Sequence, residues 1–438
     1  MIKNWLEKDF AQRRKGRGGE ECLMVINFNE LGVLPCFIEK LNERKITEPT
    51  DIQRKVIPCL NEDKNVFFSS ATGTGKTFAY LLPLLSKLLN PNSAGASFEP
   101  SVRDLREGHG IKFLIIAPTL ELCTQIKGEL DFLSEGTELK SALLIGSVNI
   151  ERQIENLKKN KPDIVVGNPN RLLVLAKKKL LKIDSLRYIV FDEADRLVSD
   201  EMTDDTRELC KIITRNAKKN DKDLLIAACS ATMNKKNREK LLETISAPQA
   251  EFIESEDQEI LREKIEHWAI FSEKRRKDQT LRSLISALKG KKKRIKTLVF
   301  TSRGDEASLI LSRLQFHHVN AAGLFGKAGK KPLPGAERKA ALDGFRQGSI
   351  ETLVSTDLAA RGLDIQGITH VIALDVPDNE EVYIHRCGRT ARAGKRGVMI
   401  TIGDETQMRL LSVMEKKLKI RVQPKELHYG KICVPELE

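Results

Sequence analysis

The chain has 438 residues, of which 40% are hydrophobic and 31% charged, and its 74 Lys and Arg against 61 Asp and Glu give a formal net charge of +13. That length exceeds one ordinary hydrophobic core, so we expect two domains, and no window approaches the ~18 uninterrupted apolar residues of a membrane span. The eight cysteines form no CxxC pair and the N-terminus has no apolar secretory core, which argues against a zinc module or an exported protein and predicts a cytoplasmic location.

Short apolar runs alternate with helical patterns along the chain, which is typical of parallel sheets with crossover helices. The strands predicted in the first half are Asn65–Ser69, Lys112–Ala117, Asp163–Gly167, Tyr188–Phe191 and Leu224–Ala228. Those predicted in the second half are Thr297–Thr301, Thr352–Ser355, His370–Asp375 and Val398–Ile402. A polar cluster follows each run, and open parallel sheets bind ligands at that carboxyl edge. The sequence therefore predicts an α/β fold of two doubly wound parallel-sheet domains that face each other across a cleft.

An acidic, apolar-poor stretch marks the boundary between the two predicted domains. Residues Glu254–Glu259 read Glu-Ser-Glu-Asp-Gln-Glu, a composition that predicts a hinge. The predicted division is a basic N-terminal tail at 1–24, a first domain at 25–253, a linker at 254–263, a second domain at 264–423 and a short C-terminal tail at 424–438.

A Gly-rich turn follows the first predicted strand and opens a helix, which is the arrangement of a phosphate-binding P-loop. The residues that can hold phosphates through backbone N–H groups or an amine are Thr72, Gly73, Thr74, Gly75 and Lys76. The hydroxyl of Thr77 and the carboxylate of Asp192, at the end of a later strand, can bind Mg²⁺. Glu193 can then orient a water molecule. These two elements in this order predict a P-loop nucleoside triphosphatase.

Two further segments can complete the nucleotide site in the first half. The amide of Gln53 carries both donors and an acceptor and can read an adenine edge, although a plain surface glutamine is the alternative without the P-loop downstream. Ser230 and Thr232 follow a predicted strand, and their hydroxyls can bond Asp195 and couple the nucleotide state to domain closure.

The second half concentrates three arginines and a histidine in the segment His385–Arg392. The three-residue spacing of Arg386, Arg389 and Arg392 predicts that they share one helical face, whereas a solvated basic face is the alternative.

This ordered set of motifs resembles the DEAD-box ATP-dependent RNA helicases, from about Phe28 to Gly403. The motifs that carry the resemblance are 49–53, 70–77, 118–122, 168–171, 192–195, 230–232, 355–364 and 385–394. The resemblance implies tandem RecA-like domains, ATP and Mg²⁺ as cofactors, and RNA bound through its backbone with little sequence specificity. It also implies a monomer that protein partners can direct to its targets.

The resemblance assigns roles to individual residues of the two halves. Arg389 and Arg392 would be arginine fingers on the γ-phosphate, Asp364 would meet the ribose, and Arg361 would help close the cleft. The residues expected to couple the domains are Asp195, Ser230, Thr232, His385 and Arg386. The residues expected to contact the RNA backbone are Pro118, Thr119, Gly146, Asn168, Arg171, Ser302, Arg303, Arg338 and Thr356.

Several positions depart from the family pattern, mostly on the RNA side. They are Ile46 in place of a base-stacking aromatic residue, Leu120 for Arg, Asn168 for Thr, Asn170 for Gly, and Gly335 for Gln. The leading hypothesis is an RNA-dependent ATPase that separates short RNA duplexes when the domains close. The alternatives are an ATP-gated RNA clamp or assembly scaffold with weak unwinding, which the departures favour slightly, and a P-loop ATPase that acts on DNA.

Overall fold

The computed structural model describes residues 27–435 apart from 71–72, 90–109, 200–201, 220–222, 232–234, 246–248, 255–262, 290–294, 326, 329–330, 333–334, 361–364, 366 and 392–395. The predicted tail at 1–24 and most of the predicted linker therefore lie outside the described residues. Among the residues described, no helix is both long enough and apolar enough to cross a membrane.

The first half of the chain forms a seven-stranded parallel sheet in the order β3-β4-β2-β5-β6-β1-β7. Its strands are β1 Val66–Ser69, β2 Phe113–Ile116, β3 Ser141–Leu144, β4 Ile164–Gly167, β5 Tyr188–Asp192, β6 Leu225–Ser230 and β7 Glu251–Glu254. Its helices are α1 Pro35–Glu43, α2 Asp51–Asn61, α3 Lys76–Leu89, α4 Leu120–Ser134, α5 Ile150–Asn160, α6 Pro169–Lys177, α7 Ala194–Leu197, α8 Thr203–Lys219 and α9 Lys235–Ile245. All five strands predicted in this half are present, and the edge strands β3 and β7 were not predicted.

The second half forms an eight-stranded sheet in the order β10-β13-β9-β14-β15-β8-β16-β17, parallel except for the last pair. Its strands are β8 Ile265–Phe271, β9 Thr297–Thr301, β10 Ala321–Leu324, β13 Thr352–Thr356, β14 His370–Ala373, β15 Gly397–Gly403, β16 Val422–His428 and β17 Lys431–Cys433, and a separate hairpin joins β11 Lys327–Ala328 to β12 Lys331–Pro332. Its helices are α10 Lys277–Lys289, α11 Gly304–Phe316, α12 Gly335–Gln347, α13 Asp357–Ala360, α14 Glu380–Cys387 and α15 Glu405–Leu418.

The C-terminal boundary predicted at 423 is wrong. Strand β16 pairs in parallel with β8, and β17 pairs with β16, so the second sheet continues to Cys433. The polar run Val422–His428 alternates between half-buried and exposed positions, so it lacks the apolar run that marks the inner strands. The change from the first sheet to the second falls between Glu254 and Ile265.

Each sheet is covered on both faces, as the doubly wound prediction requires. In β2, Phe113 and Ile115 pack into the core on one face, while Leu114 and Ile116 pack into the core on the other. The second sheet is likewise buried between two apolar clusters. Continuous burial of short aliphatic strands fixes the sheets, and their carboxyl edges carry the polar motifs.

Candidate active site at the domain interface

The Gly-rich turn between β1 and α3 is held closed by its own contacts. Gly73 and Gly75 have φ values of +86° and +90°, a region that side chains rarely adopt. Lys76 begins α3, and its Nζ donates to the carbonyl oxygen of Ser70 at 2.6 Å. Burial lowers the pKa of Lys76, although neighbouring carboxylates oppose that shift. Thr72 lies outside the described residues.

Gln53 connects the start of α2 to the Gly-rich turn. Its Oε1 accepts from the backbone N–H of Thr50 at 2.9 Å, which completes a capping box, and its Nε2 donates to the carbonyl oxygen of Gly75 at 3.0 Å. A Cβ atom on Gly75 would collide with that Nε2. The side chain of Gln53 is 1% exposed, so within this structure it positions the turn, and its predicted reading of adenine stays a prediction. Ile46 is half-buried against the first core.

Asp192, at the end of β5, accepts hydrogen bonds from three groups. The backbone N–H of Glu193 and the thiol of Cys229 lie 2.8 and 3.1 Å from Oδ1, and the hydroxyl of Tyr80 lies 2.9 Å from Oδ2. Burial raises the pKa of both Tyr80 and Cys229, so both groups keep the protons that they donate. Neither Tyr80 nor Cys229 was predicted as a site residue. The available signals were that Tyr80 lies one helical turn after Lys76 and that Cys229 directly precedes Ser230.

Glu193 adopts a left-handed backbone conformation, with φ +49° and ψ +52°, at the N-cap of the short helix α7. That conformation is uncommon outside glycine and is typical of strained functional positions. Glu193 is 8% exposed, and its buried Oε2 accepts no hydrogen bond among the described residues but lies 3.8 Å from Nη1 of Arg196. The carboxylate is therefore held near one guanidinium of its own helix and keeps its capacity to accept a hydrogen bond from a water molecule.

The residues here fit a hard divalent cation. The hydroxyl of Thr77 hydrogen-bonds with Tyr80, which also donates to Asp192, so the two predicted Mg²⁺ ligands share one neighbour. Among the described residues, no cluster of three His, Cys, Asp or Glu side chains could hold a metal ion by itself. Nucleotide phosphates and water would therefore have to complete the octahedral coordination that Mg²⁺ prefers.

A buried contact joins the two domains beside the nucleotide site. Nε2 of His385, on α14, lies 3.5 Å from Oδ2 of Asp195, on α7, and the two side chains are 6% and 4% exposed. Burial raises the pKa of Asp195, but hydrogen bonds from His385 and Ser230 outweigh that effect and hold the pKa below its usual value. Nε of Arg389 donates to the carbonyl oxygen of His385 at 3.1 Å. Thus Ser230, Asp195, His385 and Arg389 form one connected series across the cleft.

The structure contradicts the predicted shared helical face of the three arginines. Helix α14 ends at Cys387, with Gly388 at its C-cap, so Arg389 lies beyond the helix. Arg386 is 1% exposed and binds Asp357 and Asp375, both in its own domain, rather than a group of the first domain. It fastens α14 to the carboxyl edge of the second sheet. Besides Thr72, four predicted residues lie outside the described residues: Thr232, Arg361, Asp364 and Arg392.

The predicted RNA contacts of the first domain lie at the carboxyl ends of β2, β3 and β4. Pro118 is buried, and Thr119 caps α4 by accepting from the backbone N–H of Leu122 at 3.2 Å. Arg171 donates to the carbonyl oxygen of Gly146 at 3.0 Å and so fastens that loop. Oδ1 of Asn168 is buried without a partner among the described residues.

Two of the departures lie close to these contacts and differ in their surroundings. Asn170 donates to Asp205 at 3.1 Å. The side chain of Leu120 is 37% exposed, so this position presents an apolar group where the resemblance expects a guanidinium.

The predicted RNA contacts of the second domain are less uniform. The backbone N–H of Ser302 donates to Asp375 at 2.7 Å, and the exposed Arg303 pairs with Asp305. Thr356 ends β13 and is 9% exposed. These residues lie at the carboxyl edge, as predicted, and the side chain of Arg303 is paired within the domain.

Arg338, on α12, makes a contact that the sequence analysis did not anticipate. Its Nη2 donates to Oε1 of Glu121, on the first turn of α4, at 2.7 Å across the cleft, and the side chains are 28% and 26% exposed. The sequence offered one indication of a role for Glu121, namely that it lies next to a segment predicted to contact RNA. Two interdomain contacts thus flank the cleft, Asp195–His385 on the nucleotide side and Glu121–Arg338 on the RNA side.

The comparisons with known proteins agree with this geometry. The family model of the DEAD/DEAH box helicases matches residues 50–241, and that of the helicase conserved C-terminal domain matches residues 276–394. The DEAD-box ATP-dependent RNA helicase CshC of Bacillus cereus is 37% identical over 383 residues, which cover 87% of this chain and 89% of that protein. The probable ATP-dependent RNA helicase YfmL of Bacillus subtilis is 33% identical over 394 residues, which cover 90% and 95%.

Solved structures share the two-domain architecture. Mss116p bound to ssRNA and AMP-PNP superimposes with a TM-score of 0.79 at 25% identity, covering 93% of this chain and 81% of that one. Dbp5 of S. cerevisiae, bound to RNA and ADP BeF3, has a TM-score of 0.75 at 23% identity, covering 91% and 95%, and shows the tandem RecA-like fold. These findings confirm the predicted fold and ATP use and do not favour the clamp or scaffold alternative. The chain belongs to the DEAD-box ATP-dependent RNA helicases.

Proposed function

We propose that this helicase hydrolyses ATP when its two domains close together on a single RNA strand, and that the same closure separates short duplexes. The observation that carries the proposal is the pair of contacts across the cleft, Asp195–His385 beside the nucleotide turn and Glu121–Arg338 beside the RNA loops. Because each contact needs both domains, a ligand that binds the closed arrangement on one side favours closure on the other.

The chemistry that we assign to the nucleotide side uses few groups. Lys76 and the backbone of the Gly-rich turn would hold the β- and γ-phosphates, and Mg²⁺, held by Thr77 and Asp192 partly through water, would offset their charge. Glu193 would orient the attacking water, because its buried Oε2 accepts no hydrogen bond among the described residues. Arg389, supplied by the second domain, would stabilise the charge that develops in the transition state, and we assign Arg392 the same role.

Sequence-independent RNA binding is expected from the types of group at the RNA edge. Backbone N–H groups, hydroxyls and amides contact phosphate and ribose and carry no base information. The unpartnered Oδ1 of Asn168 can accept a hydrogen bond from a 2′-hydroxyl, which would favour RNA over DNA. We expect a cytoplasmic monomer that relies on protein partners for targeting.

Steady-state ATP hydrolysis with single-stranded RNA, a matched DNA strand or no nucleic acid tests the proposal. We expect strong stimulation by RNA and weak stimulation by DNA. Displacement of a strand from a short RNA duplex should then require ATP and follow the hydrolysis rate. An ATP hydrolysis rate that does not change with RNA would overturn the proposed coupling. RNA-stimulated hydrolysis without strand displacement would favour the alternative of an ATP-gated RNA clamp.

A further inference from the structure

A small apolar cavity opens at the amino edge of the first sheet, on the side opposite the nucleotide turn. Its volume is about 190 Å³, and it lies between the end of α5, the segment after α6 and the residues that lead into β2. Ile111, Leu157 and Leu180 form its apolar lining. None of the residues assigned above to ATP, Mg²⁺ or RNA lines it.

Four lysines surround this cavity. Lys158, Lys161, Lys179 and Lys182 belong to its lining, and all four are exposed. No lining residue is acidic, and within the described part of the chain none of the four forms an ion pair or a side-chain hydrogen bond. Like charges around one cavity repel one another, and a ligand with negative charge would relieve that repulsion.

The fold creates this arrangement from two separate basic runs. Lys158 and Lys161 lie at the end of α5, and Lys179 and Lys182 follow α6 some twenty residues later. Pro162, which precedes β4, is buried between them. In the sequence each run reads as a solvated basic stretch, and only the packing at the sheet edge places the charges around one apolar hole.

The combination identifies the chemistry of the occupant. The cavity is smaller than the ~300–1,000 Å³ pockets that bind whole small molecules, so its size suits a single apolar side chain. A nucleic acid would satisfy the lysines, but the polar edge of a base would lose its hydrogen bonds against Ile111, Leu157 and Leu180. An acidic peptide with one apolar residue satisfies both features.

We propose that this cavity, with its four lysines, is a docking site for an acidic segment of a partner protein that inserts one Leu, Met or Phe side chain. A site on the amino edge leaves the cleft open, so a docked partner could direct the helicase to a target without competing with ATP or RNA. The inference concerns targeting and does not depend on the proposed unwinding activity.

Fluorescence anisotropy with the full chain tests the site. The probe is a short labelled peptide rich in Asp and Glu around one central Leu, and two matched peptides replace either the Leu with Ser or the acids with Asn and Gln. We expect binding of the first peptide only, weakening with salt. The double variant Lys158→Glu/Lys179→Glu should lose at least about tenfold in affinity.

The matched control is Lys45→Glu/Lys211→Glu, which reverses two exposed lysines of the same domain outside the cavity. It should bind the peptide within about twofold of the parent chain. Both variants should keep the parent unfolding temperature and ATP hydrolysis rate, which separates a lost site from a lost fold.

Three outcomes would overturn the proposal. The first is no binding of the acidic peptide, and the second is equal binding of the Ser-substituted peptide, which would leave only nonspecific charge attraction. The third is binding that appears only when residues 93–107 are replaced by a Gly/Ser linker, which would assign the cavity to a segment of this chain instead.

Discussion

The nucleotide half and the RNA half of the cleft are built differently. On the nucleotide side, Asp192 accepts three hydrogen bonds, and Gln53 and Lys76 are both bonded to the Gly-rich turn. On the RNA side, Thr119 caps a helix, and Asn168 retains a buried oxygen without a partner among the described residues. The groups for hydrolysis are therefore prepositioned within the first domain, whereas RNA binding has more contacts left to make.

The two contacts between the domains differ in the same way. Asp195 and His385 are almost fully buried, while more than a quarter of Glu121 and of Arg338 is exposed. Leaving a buried donor or acceptor unsatisfied costs about 1–3 kcal/mol, and more for a charged group such as the Asp195 carboxylate, whereas a solvent-accessible ion pair contributes about 0.2–1 kcal/mol. The nucleotide-side contact should therefore dominate closure, and the RNA-side contact should adjust it.

The largest expected effect concerns hydrolysis itself. Glu193→Gln should lower the RNA-stimulated rate by about 10²–10⁴-fold, because the amide cannot take the proton of the attacking water. ATP affinity should change little, since the amide has the size of the carboxylate and Oε2 accepts no hydrogen bond among the described residues. Single-turnover hydrolysis and binding of a fluorescent nucleotide measure the two quantities. A rate within about tenfold of the parent would contradict the role, and the exposed Glu151→Gln is the matched control.

The next effect tests the buried contact between the domains. His385→Ala should reduce stimulation by RNA at least about tenfold, because it leaves Asp195 ionised, buried and without its partner across the cleft. The unstimulated rate should change much less. His385→Gln, which restores a donor, should recover part of the coupling. Equal losses in both variants and in the unstimulated rate would indicate damage to the fold rather than to the coupling.

The lowered pKa of Asp195 determines how the contact between the domains depends on pH. The pKa of Asp195 is held below its ordinary value of 3.8, so the folded state favours the ionised carboxylate. The contribution of the Asp195 carboxylate to the stability of the folded state is fully present above pH 3.8. It is lost as the pH falls through the lowered pKa. RNA-stimulated hydrolysis should therefore lose no coupling through Asp195 between about pH 6 and pH 8, and the Asp195→Asn variant, measured over the same range, isolates that contribution.

The inner strands could be predicted from the sequence, whereas the edge strands could not. Thr297–Thr301 has the predicted bounds because its five residues are all buried. Glu251–Glu254 and Val422–His428 are largely exposed or half-buried, so their pairing is determined by neighbouring strands rather than by an apolar pattern.

The residues of the candidate site likewise divide into those that the sequence predicted and those that it did not. The Gly-rich turn and Asp192 were predicted because their chemistry is local, but Tyr80 and Glu121 gain their roles only from tertiary neighbours. The three-residue spacing of the arginines predicted a shared helical face, yet the helix ends at Cys387. Gly388 was a sequence signal for this helix end, because glycine is common at helix C-termini.

A smaller effect is expected from a substitution that tests whether the nucleotide turn is prepositioned. Gly75→Ala puts a side chain at φ +90°, which costs at least about 1–2 kcal/mol, and its Cβ collides with Gln53. The variant should unfold at a lower temperature and bind ATP more weakly. Gly128→Ala is the control, because its Cβ meets nothing within 4 Å inside α4, and it should be stabilising by about 0.5–1 kcal/mol. Similar behaviour of the two variants would argue against a prepositioned turn.

The smallest effect concerns the exposed contact on the RNA side. Glu121→Gln and Arg338→Gln should each weaken RNA binding in the presence of ATP by about two- to fivefold, consistent with ~0.5–1 kcal/mol for such a pair. If the contact acts on closure, the double variant should lose no more than either single variant, and the charge exchange Glu121→Arg/Arg338→Glu should recover part of the affinity. If Arg338 instead contacts RNA directly, its loss should be larger than that of Glu121, should add to it, and should persist after the exchange. The mutant cycle thus decides whether the RNA half of the cleft is assembled by contacts between the domains or by contacts with the nucleic acid.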